Sequence, residues 1–376
     1  MGNQLELLTI AGQSVWIDNI ERSMFASGEL RAAIGAGLRG MTSNPSIFEK
    51  AIDGGSDYDA QIDSLVGIID DPNAIFEALA IRDIRAALDE FRPLYDASGA
   101  ADGFVSLEVS PLLAHDTDGT IAAAKRLWGT IDRPNLMIKI PGTQEGASAI
   151  SEITAAGINV NVTLIFSLTG YERAANAFIT GLEQRAARGK PLAHIASVAS
   201  FFLSRIDTAV DAQLAVKIAA GHGEFEPLLG KAAIGLAKLA YEHFETLFAS
   251  DRFARLRTLG ASPQRPLWAS TSTKNPAYSD LMYVETLVGP DTVNTMPPKT
   301  LAALRDHGKV VAATIMTDVA GVRTAFAQLA KSGISLDDIT TKLTIDGIAA
   351  FAKSYKDMLA AIAAKQRRLA AVGARS

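Results

Sequence analysis

The chain has 376 residues, with Lys+Arg 36 against Asp+Glu 41 (net charge −5), and is 48% hydrophobic and 20% charged. That balance excludes a disordered or fibrous chain, and mild acidity without a basic block argues against nucleic acid as a partner. Cysteine is absent, which excludes disulfides, thiolate metal sites and cysteine nucleophiles and suits a cytoplasmic protein.

In chain order, the opening MGNQLELLTI lacks the basic start and unbroken apolar run of a signal peptide. Short apolar runs then alternate with amphipathic segments. The runs are Val15–Ile20 (VWIDNI), Leu38–Met41, Phe104–Val109 (FVSLEV), Leu136–Ile140 (LMIKI) and Ile158–Ile165 (INVNVTLI), then Ile195–Phe202 (IASVASFF), Pro266–Ser270 (PLWAS) and Thr292–Met296 (TVNTM). Several are apolar on both faces, as parallel strands covered by helices should be. Between them the spacing of Ile75, Leu79, Ile84, Leu88 and Phe91 predicts a helix that Asp71 caps and Pro72 opens. Thr117 or Asp118 is expected to cap another, through Lys125 to Trp128. The uncharged stretch Ile153–Tyr171 contains Gly157, Asn159, Asn161 and Thr163, and reads as a helix end followed by a strand, not as a membrane span.

Eight strands alternating with helices predict an α/β fold, a (β/α)8 TIM barrel with extra helices, in preference to an open doubly wound sheet. A bare barrel needs about 250 residues, so roughly 120 are left for additions. They fall in a helical insertion at about 208–260 and a C-terminal helix at about 346–370, which either covers the barrel or pairs with another chain. No linker-like segment or repeat divides residues 1–376, so one domain is expected.

Two motif matches mislead. Gly35-Ala-Gly-Leu-Arg-Gly40 fits a dinucleotide fingerprint by its letters, but the glycines follow a helix and enter a strand, the reverse of the context that motif requires. The histidines (115, 194, 222, 243 and 307) lack ligand spacing, and His115-Asp116-Thr-Asp118 reads better as a capping loop than as a cation site. No metal is expected.

The informative signal is charge inside apolar strands. Asp18 lies in VWIDNI, Glu108 in VSLEVSP and Lys139 in LMIKIP, each near the end of its run. Buried charges cost several kcal/mol unless paired, and at the C-terminal ends of barrel strands such residues point into the mouth. Burial disfavours the ammonium form of a lysine and leaves neutral amine able to attack a carbonyl. The protonated imine then withdraws electrons, so that a neighbouring C–C bond can break. Glu108 and Asp18 are the residue types for the proton transfers this needs. A single charge of this kind reads as a structural ion pair, whereas three on separate strands favour chemistry.

Polar strand ends extend the pattern. Thr42, Ser43 and Asn44 follow the second run, and Asn161 and Thr163 share one face of the fifth, binding substrate hydroxyls, holding a water or forming a polar layer inside the barrel. Arg205 in SFFLSRID and the WASTSTKNP turn with Ser270, Ser272 and Lys274 are the candidates for a phosphate. The alternatives are an Arg205–Asp207 pair and a capping turn with a solvated lysine.

MTSNPSIFEKAI (41–52), SLEVSP (106–111), LMIKIPGTQEG (136–146), INVNVTLIFS (158–167) and SVASFFLSRID (197–207) together resemble the transaldolase family, and WASTSTKNP and TVNTMPP resemble its longer bacterial branch. The resemblance covers roughly residues 10–360. It implies a barrel with no metal or organic cofactor that moves a dihydroxyacetone unit between sugar phosphates of the pentose phosphate pathway. By position, Lys139 matches the Schiff-base lysine and Asp18 the acid/base acting on the C4 hydroxyl. Glu108 with Thr163 matches the group that positions a catalytic water. Asn44, Asn161 and Ser200 match residues holding the dihydroxyacetone hydroxyls, and Arg205 a phosphate arginine. Shorter members carry a second arginine in a Ser-Phe-Arg-Asn run where this chain has Ser270-Thr-Ser-Thr-Lys274-Asn275, so Lys274 is expected to act there as a point cation. Related small aldolases often place a tyrosine at the glutamate's position, so Glu108 favours transfer over a fructose 6-phosphate lyase. A non-catalytic sugar-phosphate-binding barrel is the third reading. No membrane partner is expected, and the chain is expected to be a monomer or homodimer.

Overall fold

The structure is a computed structural model that describes residues 3–373. Eight parallel strands close in sequence order into a barrel: β1 (Gln13–Asp18), β2 (Gly40–Thr42), β3 (Phe104–Glu108), β4 (Leu136–Pro141), β5 (Val160–Ile165), β6 (Ser197–Phe202), β7 (Arg265–Ala269) and β8 (Thr292–Met296). The β8–β1 pairing completes the ring. This is the TIM barrel expected from the alternating runs, and the strands are buried on both faces because helices cover the outer one.

Side-chain chemistry sets the register. Trp16 on β1 is fully buried against Phe104 on β3, 6.4 Å between ring centroids. Gly40 on β2 makes room for it, since a Cβ there would stand 2.5 Å from the indole. On β5 the pairing with β6 shifts between Val162 and Ile165, a bulge next to the barrel mouth.

The helix Pro72–Ala97 begins as read, with Pro72 at its first turn and the Asp71 carboxylate accepting from Asn73 N–H. Asp116, rather than Thr117 or Asp118, caps the helix Thr117–Ile131, accepting from Gly119 N–H at 2.9 Å. Both candidates lie inside the first turn, where a side-chain acceptor would come too late for the free N–H groups. The glycines of the false fingerprint end the helix Glu29–Gly35 and lead into β2. Between β6 and β7 lie helices Ser204–Ala219, Ala232–Ala249 and Asp251–Arg257.

The C-terminal helix spans Leu336–Gly373, starting ten residues before the expected 346. The β-branched run Ile339, Thr340, Thr341, Thr344 and Ile345 weakens its helical pattern. Asp337 and Asp338 in the first turn, with the Ser335 hydroxyl accepting from Asp338 N–H, support that start. This helix covers the barrel. Ser46 bonds Ser354 at 2.8 Å, Tyr355 bonds Asn73 and packs edge-on against Phe76, and Lys365 donates to Gly55 O and Asp59 at 2.7 Å each. Among the described residues, no helix is long and apolar enough to cross a membrane.

Candidate active site

Asp18 ends β1 and Glu108 ends β3, while Lys139 sits two residues before the end of β4. Glu108 and Lys139 are register partners, as are Lys139 and Asn161. Their side chains therefore meet inside the closed ring.

Lys139 is 3% exposed, and its ammonium stands 3.3 Å from Glu108 Oε2 and donates to the Ser43 carbonyl at 3.1 Å. Burial pushes the Glu108 carboxyl up to about 7, against the opposing pull of Lys139, and the charge of Asp18 adds to the rise. Neither Glu108 oxygen has a hydrogen-bond partner within the protein, nor does the buried Thr163 hydroxyl. Burial likewise raises Asp18, while Lys139 and the Thr42 hydroxyl, which donates to it at 2.7 Å, pull it down. Thr42 is held in turn by Thr295, 2.7 Å away. Two carboxyls made basic by burial flank one buried amine.

A cavity of about 450 Å³ opens at this end of the barrel, of a size suited to a small metabolite. Asp18, Asn44, Lys139, Ser200, Arg205, Ser270 and Lys274 all line it. Asn44 caps the helix Pro45–Asp53, its carbonyl oxygen accepting from Ile47 N–H at 3.1 Å, so its amide nitrogen remains for a ligand hydroxyl. Ser200 donates to Asn161 Oδ1 at 2.7 Å, and Asn161 donates to Ser106 at 3.0 Å. Asn161 and Thr163 are fully buried and belong to the polar interior behind the cavity, not to its wall. Glu108 faces a neighbouring cavity of about 370 Å³ bounded by Leu107, Ser110 and Tyr355, and reaches the main one through Lys139.

The far end of the main cavity is cationic. Arg205 does not pair with Asp207, which instead accepts from Ala233 N–H at 2.8 Å and Tyr283 at 2.7 Å. Its guanidinium lies near the Phe202 and Phe351 rings, 5.7 and 5.9 Å from their centroids. Burial and the neighbouring charges of Arg205 and Lys50 lower the Lys274 ammonium. None of these three cations is within ion-pair range of a carboxylate among the described residues. Mutual repulsion of unpaired cations at one rim is relieved by an anion. Ser270, in a left-handed backbone conformation (φ 56°) and 2.8 Å from the Ser204 hydroxyl, supplies a polar group beside them.

Sequence reading missed Lys50 and Phe351. Ser46, Ile47 and Lys50 share one face of the helix Pro45–Asp53 and all line the cavity, so helical spacing counted from Asn44 contained the signal for Lys50. Phe351, on the C-terminal helix, carried none, because an aromatic residue on an amphipathic helix is ordinary core pattern.

Residues 15–362 match the family model described as transaldolase/fructose-6-phosphate aldolase. A transaldolase of Parafrankia sp. (strain EAN1pec) is 48% identical over 360 residues, 96% of this chain and 97% of the relative. That of Trichodesmium erythraeum (strain IMS101) is 44% identical over 378 residues, covering 98% and 99%. That of Mycolicibacterium smegmatis is 47% identical over 356 residues, covering 94% and 95%. With a buried lysine between two carboxyls at the mouth of a closed barrel, and near full-length identity to these relatives, the chain belongs to the transaldolase/fructose-6-phosphate aldolase family.

Proposed function

We propose that the chain moves a dihydroxyacetone unit from sedoheptulose 7-phosphate to glyceraldehyde 3-phosphate, giving erythrose 4-phosphate and fructose 6-phosphate, through an imine on Lys139. The chain is an enzyme of the transaldolase type, like its full-length relatives. The reaction belongs to the pentose phosphate pathway. Its charged substrates do not cross a membrane unaided, which fits a cytoplasmic place of action. The chain acts as one barrel unit with its added helices, as a monomer or homodimer.

The observation that carries this reading is the Lys139 ammonium, buried 3.3 Å from Glu108, in a cavity with Asp18 at its side and unpaired Arg205 and Lys274 at its rim. The amine attacks the C2 carbonyl of the ketose. Glu108, poised near 7, moves the protons of carbinolamine formation and dehydration through a water it shares with the Thr163 hydroxyl. Asp18 takes the C4 hydroxyl proton as the C3–C4 bond breaks, and burial makes its carboxylate a stronger base for that step. The electron pair moves into the imine, leaving an enamine on Lys139. Asn44 and Ser200 bind the hydroxyls of the three-carbon unit, with Asn161 orienting Ser200. Arg205, Lys274 and Ser270 hold the phosphate.

Incubating the protein with sedoheptulose 7-phosphate and glyceraldehyde 3-phosphate tests this. Stoichiometric erythrose 4-phosphate and fructose 6-phosphate are expected. Free dihydroxyacetone as the main product would point to a lyase, and no turnover would point to a binding protein.

A further inference from the structure

Phe351 comes from outside the barrel, yet the residue is 4% exposed and forms part of the cavity wall. Its centroid lies 5.9 Å from Lys139 Nζ, 5.9 Å from the Arg205 guanidinium and 6.5 Å from Phe202. One aromatic side chain therefore spans the distance between the amine and the phosphate end.

The ring is held there by its helix. One turn earlier, Gly347 passes so close to the barrel that a Cβ would stand 3.1 Å from Leu164. After Phe351, Ser354 and Tyr355 bond Ser46 and Asn73, and Met358 and Ile362 are fully buried. These contacts fix the stretch of helix that carries Phe351 to the cavity.

The reaction proposed above gives that position a chemical consequence, and the inference rests on that reading. After C3–C4 cleavage, the nucleophilic enamine carbon has two fates. It can attack the acceptor aldehyde, forming a C–C bond while the new alkoxide takes a proton. It can instead take a proton from water, giving the iminium of dihydroxyacetone. Water then adds to that C=N bond, the C–N bond breaks, and free amine and dihydroxyacetone are released. A transferase must suppress the second fate while the cavity waits for its acceptor.

We propose that Phe351 is a specificity-determining residue that keeps water from the enamine carbon on Lys139 and so sets the ratio of transfer to hydrolytic release. Its apolar ring offers water no hydrogen bond beside the lysine, and at 5.9 Å its π face lies within range of the cationic imine.

The test uses the full chain with Phe351→Ala, and Phe351→Leu as the variant that keeps apolar bulk. Dihydroxyacetone released from fructose 6-phosphate alone is compared with transfer to erythrose 4-phosphate. The release-to-transfer ratio is expected to rise about tenfold in Phe351→Ala and to stay within about threefold of the parent in Phe351→Leu. Should the alanine variant not fold, as read by thermal melting, Phe351→Gln keeps the bulk, brings a hydrated amide to the lysine and carries the same expected rise. An unchanged ratio in a folded variant that still forms a borohydride-trapped adduct on Lys139 would overturn the inference. Absence of that adduct from the parent protein would overturn the imine reading on which it stands.

Discussion

Glu108 is a carboxyl pushed up to about 7, and the reason is positional. A carboxyl at the end of β3 inside a closed barrel loses its water, and Lys139 at 3.3 Å only partly restores the balance, leaving it at about 7. Iminium hydrolysis needs the carboxylate to accept a proton, so turnover is expected to fall as pH drops through about 7. Glu108→Gln should remove that limb of the profile and lower kcat by about 10² to 10⁴. A limb that survives in the variant would place the ionisation elsewhere. At the other end of the cavity, the proposed reaction gives Lys50 and Lys274 the part of point charges on a phosphate, so Lys50→Ala and Lys274→Ala should each raise KM roughly tenfold with little change in kcat. Steady-state kinetics that show kcat falling instead would assign them to the chemistry. Asp18, Glu108 and Lys139 were legible in the sequence because an unpaired charge in an apolar run contradicts the pattern around it. Lys50 was reachable only by counting helical spacing from Asn44, since an exposed lysine on a short helix contradicts nothing by itself.

Among the elements, the helices between β6 and β7 are tied together at one buried carboxyl. Asp207 on the helix Ser204–Ala219 accepts from Ala233 N–H and from Tyr283, joining this helix to Ala232–Ala249 and to the segment before β8. Burial holds Asp207 up to about 6 despite these bonds. A carboxyl raised in the folded state favours its protonated form. Its contribution to stability is therefore complete below 3.8, the ordinary value, and is lost as pH rises through about 6. Asp207→Asn is expected to gain on the parent protein in thermal melts between about pH 4 and about pH 7. A difference in Tm that does not vary with pH would contradict this. Element boundaries were readable where a cap and a proline coincide, as at Asp71-Pro72. They were displaced where two or three capping types stand in a row, as at Asp116-Thr117-Asp118, and where β-branched residues disguise a helix, as at Ile339–Ile345.

For the molecule as a whole, closure of the sheet gathers three anomalies on β1, β3 and β4 at one end of the barrel, Asp18 and Lys139 on the main cavity and Glu108 beside Lys139. The eight-strand count and the alternation with helices were enough to expect that closure. The Leu336–Gly373 helix was not placeable in this way, since its period says only that one face is apolar and not what it covers. Only the folded chain brings Phe351 to Lys139. The central claim is that Lys139 carries the substrate as an imine. The most direct measurement is borohydride reduction in the presence of fructose 6-phosphate, followed by peptide mass spectrometry, with Lys139→Ala in parallel. The account predicts a reduced three-carbon dihydroxyacetone adduct on the Lys139 peptide and none in the variant, and an adduct on another residue, or no adduct, would contradict it.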